Sequence, residues 1–285
     1  MAQQFDKAEM LQWSYTPAPQ PRRPPGPLKL GPHYRAVTYP AKPIVRASLV
    51  FPRGALRSVL ITQKKQRFRF GTRTIHTSAA SVDSVHQNVL RLQLQPSLAE
   101  RLVLFLAGLL PAVVRAWFEA SFPEWALPES VILKQKKEGW DKEFEDEKAM
   151  YALLRPLQGV VIPCYLGEVA SRNERAILLS NIGGAALAEP EGLLLEMPDL
   201  RRMMRQAVAA IGQFGRVHDD SKLDNYHLVG NKVMIIDLER MSEHVDDLKL
   251  LDFFINAEVE HIVKSYERTQ YGKWTRGLLA VDMDE

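Results

Sequence analysis

The sequence predicts an α+β fold, and three observations support this prediction. Short apolar and β-branched runs at residues 131–134 (VILK) and 177–179 (ILL) are typical of strands. A long amphipathic stripe that begins near Pro198 predicts a helix. Two apolar runs flank residues 230–232 (GNK), and this pattern predicts a β-hairpin because Gly and Asn accept the positive φ of a tight turn.

The composition is typical of a globular protein, with 285 residues, 46% hydrophobic and 25% charged. The single cysteine, Cys164, excludes an internal disulfide framework and a multi-cysteine metal site. The net charge of +3 is unevenly spread, since residues 1–75 carry 14 Lys/Arg and 2 Asp/Glu. Such a basic segment suits RNA, DNA or an acidic membrane surface. We prefer to interpret it as a solvated tail and expect no nucleic-acid partner.

Proline dominates the start of the chain, where residues 16–43 hold nine of the 18 prolines. This density predicts a disordered, basic, Pro-rich tail over residues 1–45, in which a PxxP segment could bind a partner.

The N-terminus carries acids and has no apolar core, so we expect no secretory signal. The longest apolar run, residues 102–114, has 13 residues and is too short to cross a bilayer, so it predicts a buried helix. We therefore expect no transmembrane segment and a cytoplasmic, or at least intracellular, location.

The remaining elements are less uniform in their signals. Residues 48–51 and 58–61 are candidate short strands, and residues 67–70 (RFRF) predict a strand with one wet face. The same basic-aromatic alternation would also suit stacking on nucleic acid. Residues 100–120 and 141–155 predict helices. The helix after Pro198 has its apolar stripe at Leu200, Met203, Met204, Ala207, Ala210, Ile211 and Phe214.

Residues 218–239 carry the strongest chemical signal. An Asp-rich loop follows the long helix directly, and a further acid ends the second strand of the hairpin. We therefore expect Asp220, Asn225 and Asp237 to converge at one end of that hairpin. Carboxylate and amide oxygens are ligands that Mg²⁺ prefers, and a carboxylate free of metal can accept a proton from an alcohol. This set favours phosphoryl transfer, in which positioning and charge neutralisation do most of the catalysis.

These residues resemble a known family. The spacing of His218, Asp220, Lys222 and Asn225 is similar to the H-x-D-x-K-x-x-N catalytic loop of the protein-kinase superfamily, and Asp237 follows at the distance of that family's metal-binding Asp. The segments KEGWDKEFEDEKAMYALLRPLQGVVIP, HDDSKLDN and IIDLE most resemble kinase-like proteins common in fungi, which are related to aminoglycoside and choline phosphotransferases. The resemblance covers about residues 128–245.

The resemblance implies a two-lobed protein kinase-like fold. It would have a small β-rich N-terminal lobe over residues 46–182 and a reduced, mainly helical C-terminal lobe over residues 183–285, with the catalytic loop in the second lobe. Whether residues 46–98 belong to the first lobe stays open. The activity implied is transfer of the γ-phosphoryl group of ATP, with Mg²⁺, to a hydroxyl of a protein or a small molecule.

The resemblance also implies a nucleotide site. Lys134 would hold the α and β phosphates of ATP, and Glu147 would orient that lysine. Backbone groups near Asn181 and Ile182 would bind adenine at a hinge. Independently of the family, Glu147 falls on the apolar face of its helix, where a buried charge needs a partner, and Lys134 is the nearest natural one.

The remaining implied roles are catalytic and metal-binding. Asp220 would be the catalytic base, Lys222 would neutralise the transferring phosphoryl group, and His218 would brace the loop. Asn225 and Asp237 would hold Mg²⁺.

Several alternatives remain at this point. Lys136 shares a strand face with Lys134, so a slip in register would misassign the lysine, and Glu143 could replace Glu147. The chain has no G-x-G-x-x-G motif, and only 48 residues follow Asp237. These departures favour a pseudokinase, a nucleotide-binding or scaffold module with little turnover. A third alternative is a nucleic-acid-associated protein whose binding falls steeply with salt.

Overall fold

Six antiparallel strands close into a barrel in the first half of the described chain. The computed structural model describes residues 64–81, 88–171 and 174–276, which all fall in the unit Pro43–Glu285. The predicted tail over residues 1–45 and the candidate strands at 48–51 and 58–61 lie outside the described residues. The barrel strands are β1 (Lys64–Phe70), β2 (Arg73–Ser81), β3 (Val89–Leu94), β4 (Ser130–Gln135), β5 (Tyr165–Ser171) and β6 (Glu174–Ser180).

Period-two patterning explains why the first strands form. Phe68 of β1 and Ile75 of β2 are buried inside the barrel, whereas Arg67 and Arg69 are exposed outside it. The strand predicted from RFRF, with one wet face, is therefore confirmed. The strand order is β1-β2-β3-β4-β6-β5, and Arg69 pairs with Ala170 of β5 to complete the ring.

Two helices, α1 (Leu98–Gly108) and α2 (Ala112–Ser121), connect β3 to β4. They form a helical hairpin with Pro111 at its turn, where proline suits the start of the second helix. The sequence predicts a buried helix here, and this prediction is wrong, because neither helix has a single buried residue. Apolar composition identifies the helices but does not determine what surrounds them.

The second half of the described chain combines helices with a small sheet. Its helices are α3 (Asp141–Leu153), α4 (Met197–Gly212) and α5 (Leu248–Trp274), and its strands are β7 (Ala185–Ala186), β8 (Tyr226–Val229) and β9 (Lys232–Ile235). The order β7-β8-β9 includes the predicted hairpin, which turns at Gly230 with φ 62°. Five of the seven residues of the predicted α4 stripe are buried, and of these Leu200, Met204 and Ile211 are at most 1% exposed. The other two, Ala210 and Phe214, are half-buried, and Phe214 lies beyond the end of the helix.

The predicted two-lobed protein kinase-like fold, with a β-rich N-terminal lobe and a mainly helical C-terminal lobe, is wrong. The β-rich part is a closed six-stranded barrel, and the C-terminal part adds a three-stranded sheet to its helices. The physical reason is β1, which pairs with β2 along its whole length and with β5 at Arg69, so that the barrel has no free edge.

Within the three described ranges, none of the helices combines the length and the apolar character that crossing a membrane requires.

Candidate functional site

Lys134 lies at the centre of the candidate site, on the outer face of the barrel. In β4, Val131 and Leu133 are buried in the barrel interior, so Ile132 and Lys134 project from the opposite face. Lys134 Nζ lies 2.8 Å from Glu147 Oε2. Lys136, the alternative lysine, instead bonds to exposed Asp141 at 2.6 Å. The structure therefore decides the register in favour of Lys134.

Glu147 is buried on the inner face of α3, and its side chain is 2% exposed. Phe144, Tyr151 and Leu154 are buried on the same face, as the sequence predicts. Glu143, the alternative partner, forms no ion pair with Lys134. The second oxygen of Glu147, Oε1, is buried and has no hydrogen-bond partner among the described residues. A buried carboxylate with one unpaired oxygen is costly, and this cost disfavours the charged form of Glu147.

Three carboxylates surround the Lys134 ammonium group. Asp237 Oδ1 is in close contact with Lys134 Nζ, and Glu239 Oε2 lies 3.3 Å from it. Lys137 is the second cation of this cluster, 3.4 Å from Glu239. With Glu147, the cluster holds two positive and three negative groups, which leaves one negative charge in excess.

The pKa shifts follow from burial and from these contacts. Burial alone would lower the pKa of Lys134, but the carboxylates of Glu147, Asp237 and Glu239 raise it above its ordinary value. Burial alone would raise the pKa of Asp237, but the nearby ammonium group of Lys134 has the larger effect and holds this pKa below its usual value. For Glu147 burial prevails and raises the pKa despite the ion pair with Lys134. Burial therefore disfavours the charged form of Glu147, whereas the contact with Lys134 favours the charged form of Asp237.

Asp237 adopts a left-handed backbone conformation, with φ 62°, and no other described residue except glycine has a positive φ. This conformation costs a non-glycine residue about 1–2 kcal/mol. The side chain of Asp237 is held by Lys134, and its carbonyl oxygen accepts from His218 Nε2 at 2.9 Å. Such strain persists where surrounding contacts fix it, and it concentrates at functional sites.

The predicted loop residues are joined to Asp237 by hydrogen bonds through His218. Asp220 N–H donates to His218 Nδ1 at 3.2 Å, which leaves the proton of the ring on Nε2 for the Asp237 carbonyl. Asn225 Nδ2 donates to the Asp220 carbonyl at 2.8 Å, and Lys222 Nζ lies 2.8 Å from Asp220 Oδ2. His218 and Asn225 are buried, while Lys222 is exposed. The structure therefore links all four loop residues to the strained Asp237.

Asn225 and Asp237 also lie close together through the backbone, because Ile236 N–H donates to the Asn225 carbonyl at 2.9 Å. The Asn225 amide nitrogen is already engaged with Asp220, so its side-chain oxygen remains an acceptor. In addition, Glu147, Asp237 and Glu239 each offer a carboxylate oxygen within 4.8 Å of the others. Oxygen groups of this kind are the ligands that a hard divalent cation such as Mg²⁺ prefers, but the Lys134 ammonium already contacts the three carboxylates.

The two predicted hinge residues lie at the far end of β4 from Lys134. Asn181 donates through Nδ2 to Ser130 Oγ at 2.9 Å and accepts from Gly183 N–H. Lys134 follows Ser130 by four positions along the strand, a distance of about 13 Å. Within the described residues, the main-chain groups of Asn181 and Ile182 make no hydrogen bond, so they are free to bind a ligand. The structure thus links the loop residues, but not this pair, to the Lys134 cluster through the hydrogen bond of His218 to Asp237.

The cavity beside Lys134 is small and open-sided, about 10 Å³, which is no more than the space of one water molecule. It is lined by Asn88, Trp140, Phe144, Glu147 and Glu239, among others. Small-molecule pockets usually measure about 300–1,000 Å³, so this cavity, as the structure has it, is too small for a nucleotide.

Sequence reasoning missed Glu239 and Lys137. Glu239 lies against Lys134 from the segment that follows β9, and Lys137 in turn lies against Glu239. The spacing carried no signal for this contact, because Asp237 is left-handed and Leu238 and Glu239 lie in a turn, where alternate residues need not share a face.

Comparison with known proteins adds no assignment. No model of a known protein family matches the chain, and no curated protein matches it in sequence.

Proposed function

We propose that the chain is an ATP- and Mg²⁺-dependent phosphotransferase that transfers the γ-phosphoryl group to a hydroxyl of a protein or a small molecule. The observation that carries this proposal is the buried Lys134–Glu147 pair in contact with Asp237, whose backbone is tied through His218 to Asp220. The resemblance of the loop residues to a catalytic loop of the protein-kinase superfamily supports the same chemistry.

The nucleotide would bind along β4. Lys134 would donate to the α and β phosphates, and Glu147 would keep the ammonium group in place from the buried side. The free main-chain groups of Asn181 and Ile182 would bind the adenine edge. The two ends of this path lie about 13 Å apart along the strand.

The catalytic step needs one base and several positive charges. Bound Mg²⁺·ATP supplies the transferable phosphoryl group and neutralises part of its charge. Asp220 would accept the proton of the acceptor hydroxyl while the hydroxyl oxygen forms the new bond to the γ-phosphorus. At the same time the bond between the γ-phosphorus and the bridging oxygen of the β-phosphate would break, and its electron pair would leave with ADP. Lys222, 2.8 Å from Asp220, would stabilise the charge on the transferring group. Asn225 and Asp237 would hold the metal, and Glu239 is placed to assist them.

Thermal unfolding of the full chain with ATP, with and without Mg²⁺, tests the proposal. At 100 times the dissociation constant, ATP should add about 2.7 kcal/mol to the free energy of unfolding. Asp237→Asn should abolish the Mg²⁺-dependent part of the shift, since Asn tolerates the left-handed conformation but lacks the charge. Absence of any shift with ATP would refute the proposed function.

Two lysine variants provide the matched comparison. Lys134→Ala should lose the ATP-dependent shift, whereas Lys136→Ala, one residue beyond the end of β4, should keep it. The shift is measured against each variant without nucleotide, because Lys134→Ala leaves three carboxylates without their main partner and lowers the baseline stability. Equal shifts in the two variants would contradict the assigned role of Lys134.

A nucleotide-binding module with little turnover is the second candidate, and the small cavity at Lys134 favours it. Release of ADP, with water as the acceptor, separates the two candidates. The phosphotransferase should release ADP from ATP, and Asp220→Asn should stop this release. An ATP-dependent shift without ADP release, unchanged in Asp220→Asn, would favour the binding module.

A further inference from the structure

The α1–α2 hairpin presents an unusually apolar surface to solvent. None of the residues of either helix is buried. Phe105 and Leu109 are 64% and 68% exposed in the first half of the hairpin, and Val113 and Trp117 are 82% and 63% exposed in the second. Single exposed apolar residues are common on proteins, but a contiguous patch of this kind marks an interaction surface.

The first helix is apolar on all its sides. Leu102, Val103, Leu104, Phe105 and Leu106 are consecutive, and each is at least 36% exposed. Since a helical turn takes about 3.6 residues, five consecutive positions cover its full circumference. A protein partner would cover one face of such a helix and leave the others in water. An apolar medium that surrounds the helix matches this pattern better.

The charges of the hairpin lie away from its turn. The turn is formed by residues 109–111 (LLP), and the nearest charged residues are Arg101 in α1 and Arg115 in α2. Along the helices these residues lie about 10 Å and about 5 Å from the helix ends at the turn. The uncharged end thus has the depth, about 5–10 Å, to which interfacial helices enter a membrane.

The base of the hairpin is fixed to the barrel. Ser97 and Glu100 form a capping box at the start of α1, and Glu100 also pairs with Arg73 of β2 at 2.9 Å. The Arg73 guanidinium stacks on the Trp125 ring, 4.3 Å from its centroid. These contacts hold the apolar end at a defined orientation relative to strands β1 to β3.

Those three strands carry charge of one sign. β1, β2 and β3 together hold six Lys and Arg residues and no Asp or Glu. Lys65, Arg67, Arg69 and Arg91 are exposed on the outside of the barrel. Lys65 and Arg67 line a shallow depression that also includes Gln95, two residues before the cap of α1. The basic surface is therefore continuous with the base of the apolar hairpin.

We propose that the α1–α2 hairpin inserts into one face of an anionic phospholipid membrane, with the basic outer surface of β1–β3 against the lipid headgroups. The hydrocarbon of the membrane would cover the apolar side chains on all sides of α1. The basic side chains of β1–β3 would be attracted to the anionic lipid headgroups. This surface is separate from the Lys134 site and does not depend on the proposed function.

Co-sedimentation of the full chain with lipid vesicles tests the proposal. We expect binding to vesicles of phosphatidylcholine with phosphatidylserine, and weaker binding to phosphatidylcholine alone. Phe105→Glu should reduce the bound fraction about tenfold or more, because a charge would enter the hydrocarbon. Phe253→Glu is the matched control, since Phe253 on α5 is 63% exposed, like Phe105, and should leave binding unchanged. Far-UV circular dichroism of both variants should match the unchanged protein.

A double variant tests the role of the basic surface of β1–β3. Arg67→Gln combined with Arg69→Gln should remove the preference for anionic over neutral vesicles and keep the remaining binding. Failure of the unchanged protein to bind either vesicle, or equal binding by Phe105→Glu, would overturn the proposal. So would a dimer in solution that Phe105→Glu converts to a monomer without any vesicle binding, since the hairpin would then be an interface between two copies.

Discussion

Glu258 is a buried acid next to the candidate site, and its environment disfavours its charge. It lies on α5 and is 5% exposed, and Tyr226 donates its hydroxyl to Glu258 Oε1 at 2.6 Å. The other oxygen, Oε2, is buried without a hydrogen-bond partner among the described residues. Burial raises the pKa of Glu258 from 4.5 to about 7, although the hydrogen bonds from Tyr226 and the His218 backbone oppose this shift.

The first residue-scale prediction follows from this pKa. Because the folded state holds the proton of Glu258 more tightly than the unfolded state, the stabilising contribution of this group is complete below pH 4.5 and is lost as the pH rises through 7. Glu258→Gln should therefore raise the free energy of unfolding by about 2–3 kcal/mol at pH 8 and change it little at pH 4.5. Denaturant unfolding at the two pH values measures this difference.

Glu267→Gln is the control for Glu258→Gln, because Glu267 lies exposed on the same helix. Its pH profile of stability should match that of the unchanged protein. If Glu258→Gln instead lowered stability equally at both pH values, the buried carboxylate would be a stabilising partner of Tyr226 and the raised pKa would be refuted.

The residues of the candidate site show which contacts can be predicted from a sequence. His218, Asp220 and Asn225 are close in sequence, so their spacing alone predicts their contact. Lys134 and Glu147 were predicted because a buried charge on an apolar helix face needs a partner, and the structure has this pair at 2.8 Å. The excess negative charge could not be predicted, because it depends on long-range contacts that bring Lys134 within reach of residues over 100 positions away.

At the scale of elements, the glycine pair between β6 and β7 controls how the small sheet attaches to the barrel. Gly183 and Gly184 have φ values of 64° and 72°, which a residue with a side chain rarely adopts. A β-carbon at Gly183 would meet nothing within 4 Å, whereas one at Gly184 would collide with the carbonyl oxygen of Leu228 in β8. Ala185, the next residue, pairs with that same Leu228.

The two glycines therefore predict different costs for the same substitution. Gly183→Ala should lower the free energy of unfolding by about 1–2 kcal/mol, the cost of the left-handed conformation alone. Gly184→Ala should cost more, about 3 kcal/mol or above, because the β7–β8 pairing must also open. Denaturant unfolding of the two variants gives both values. Equal losses would contradict the close approach of Gly184 to β8.

Elements with their own strong signals were predicted, and those that depend on distant partners were not. The stripe of α4 and the hairpin around Gly230 follow from local periodicity and turn chemistry, and both are confirmed. The strand β2 (RTIHTSAAS) has small and polar residues at several positions, so its pattern carries little information. It is stabilised by ladders to β1 and β3. Barrel closure depends on these pairings and is invisible in any one segment.

At the scale of the whole molecule, two hydrophobic cores share the same strands. Leu133 and Leu178 belong to the core inside the barrel, whereas Ile177 and Leu179 of β6 belong to the larger core formed with α3, α4 and α5. Because successive residues of a strand point to opposite faces, β4 and β6 are a common wall between the two cores. Lys134 lies on this wall, so the candidate site depends on the integrity of both.

The shared wall predicts that the barrel and the helices unfold together. Leu133→Ala removes a fully buried side chain from the barrel core and should cost about 3 kcal/mol. Hydrogen exchange should then show a loss of protection of about 100-fold in α4 as well as in β2, because one cooperative unit transmits the loss to both. Leu153→Ala, at a site that is 39% exposed on α3, should change protection little in either element. A loss confined to β2 would show that the barrel opens independently, and the common wall would then not couple the two cores.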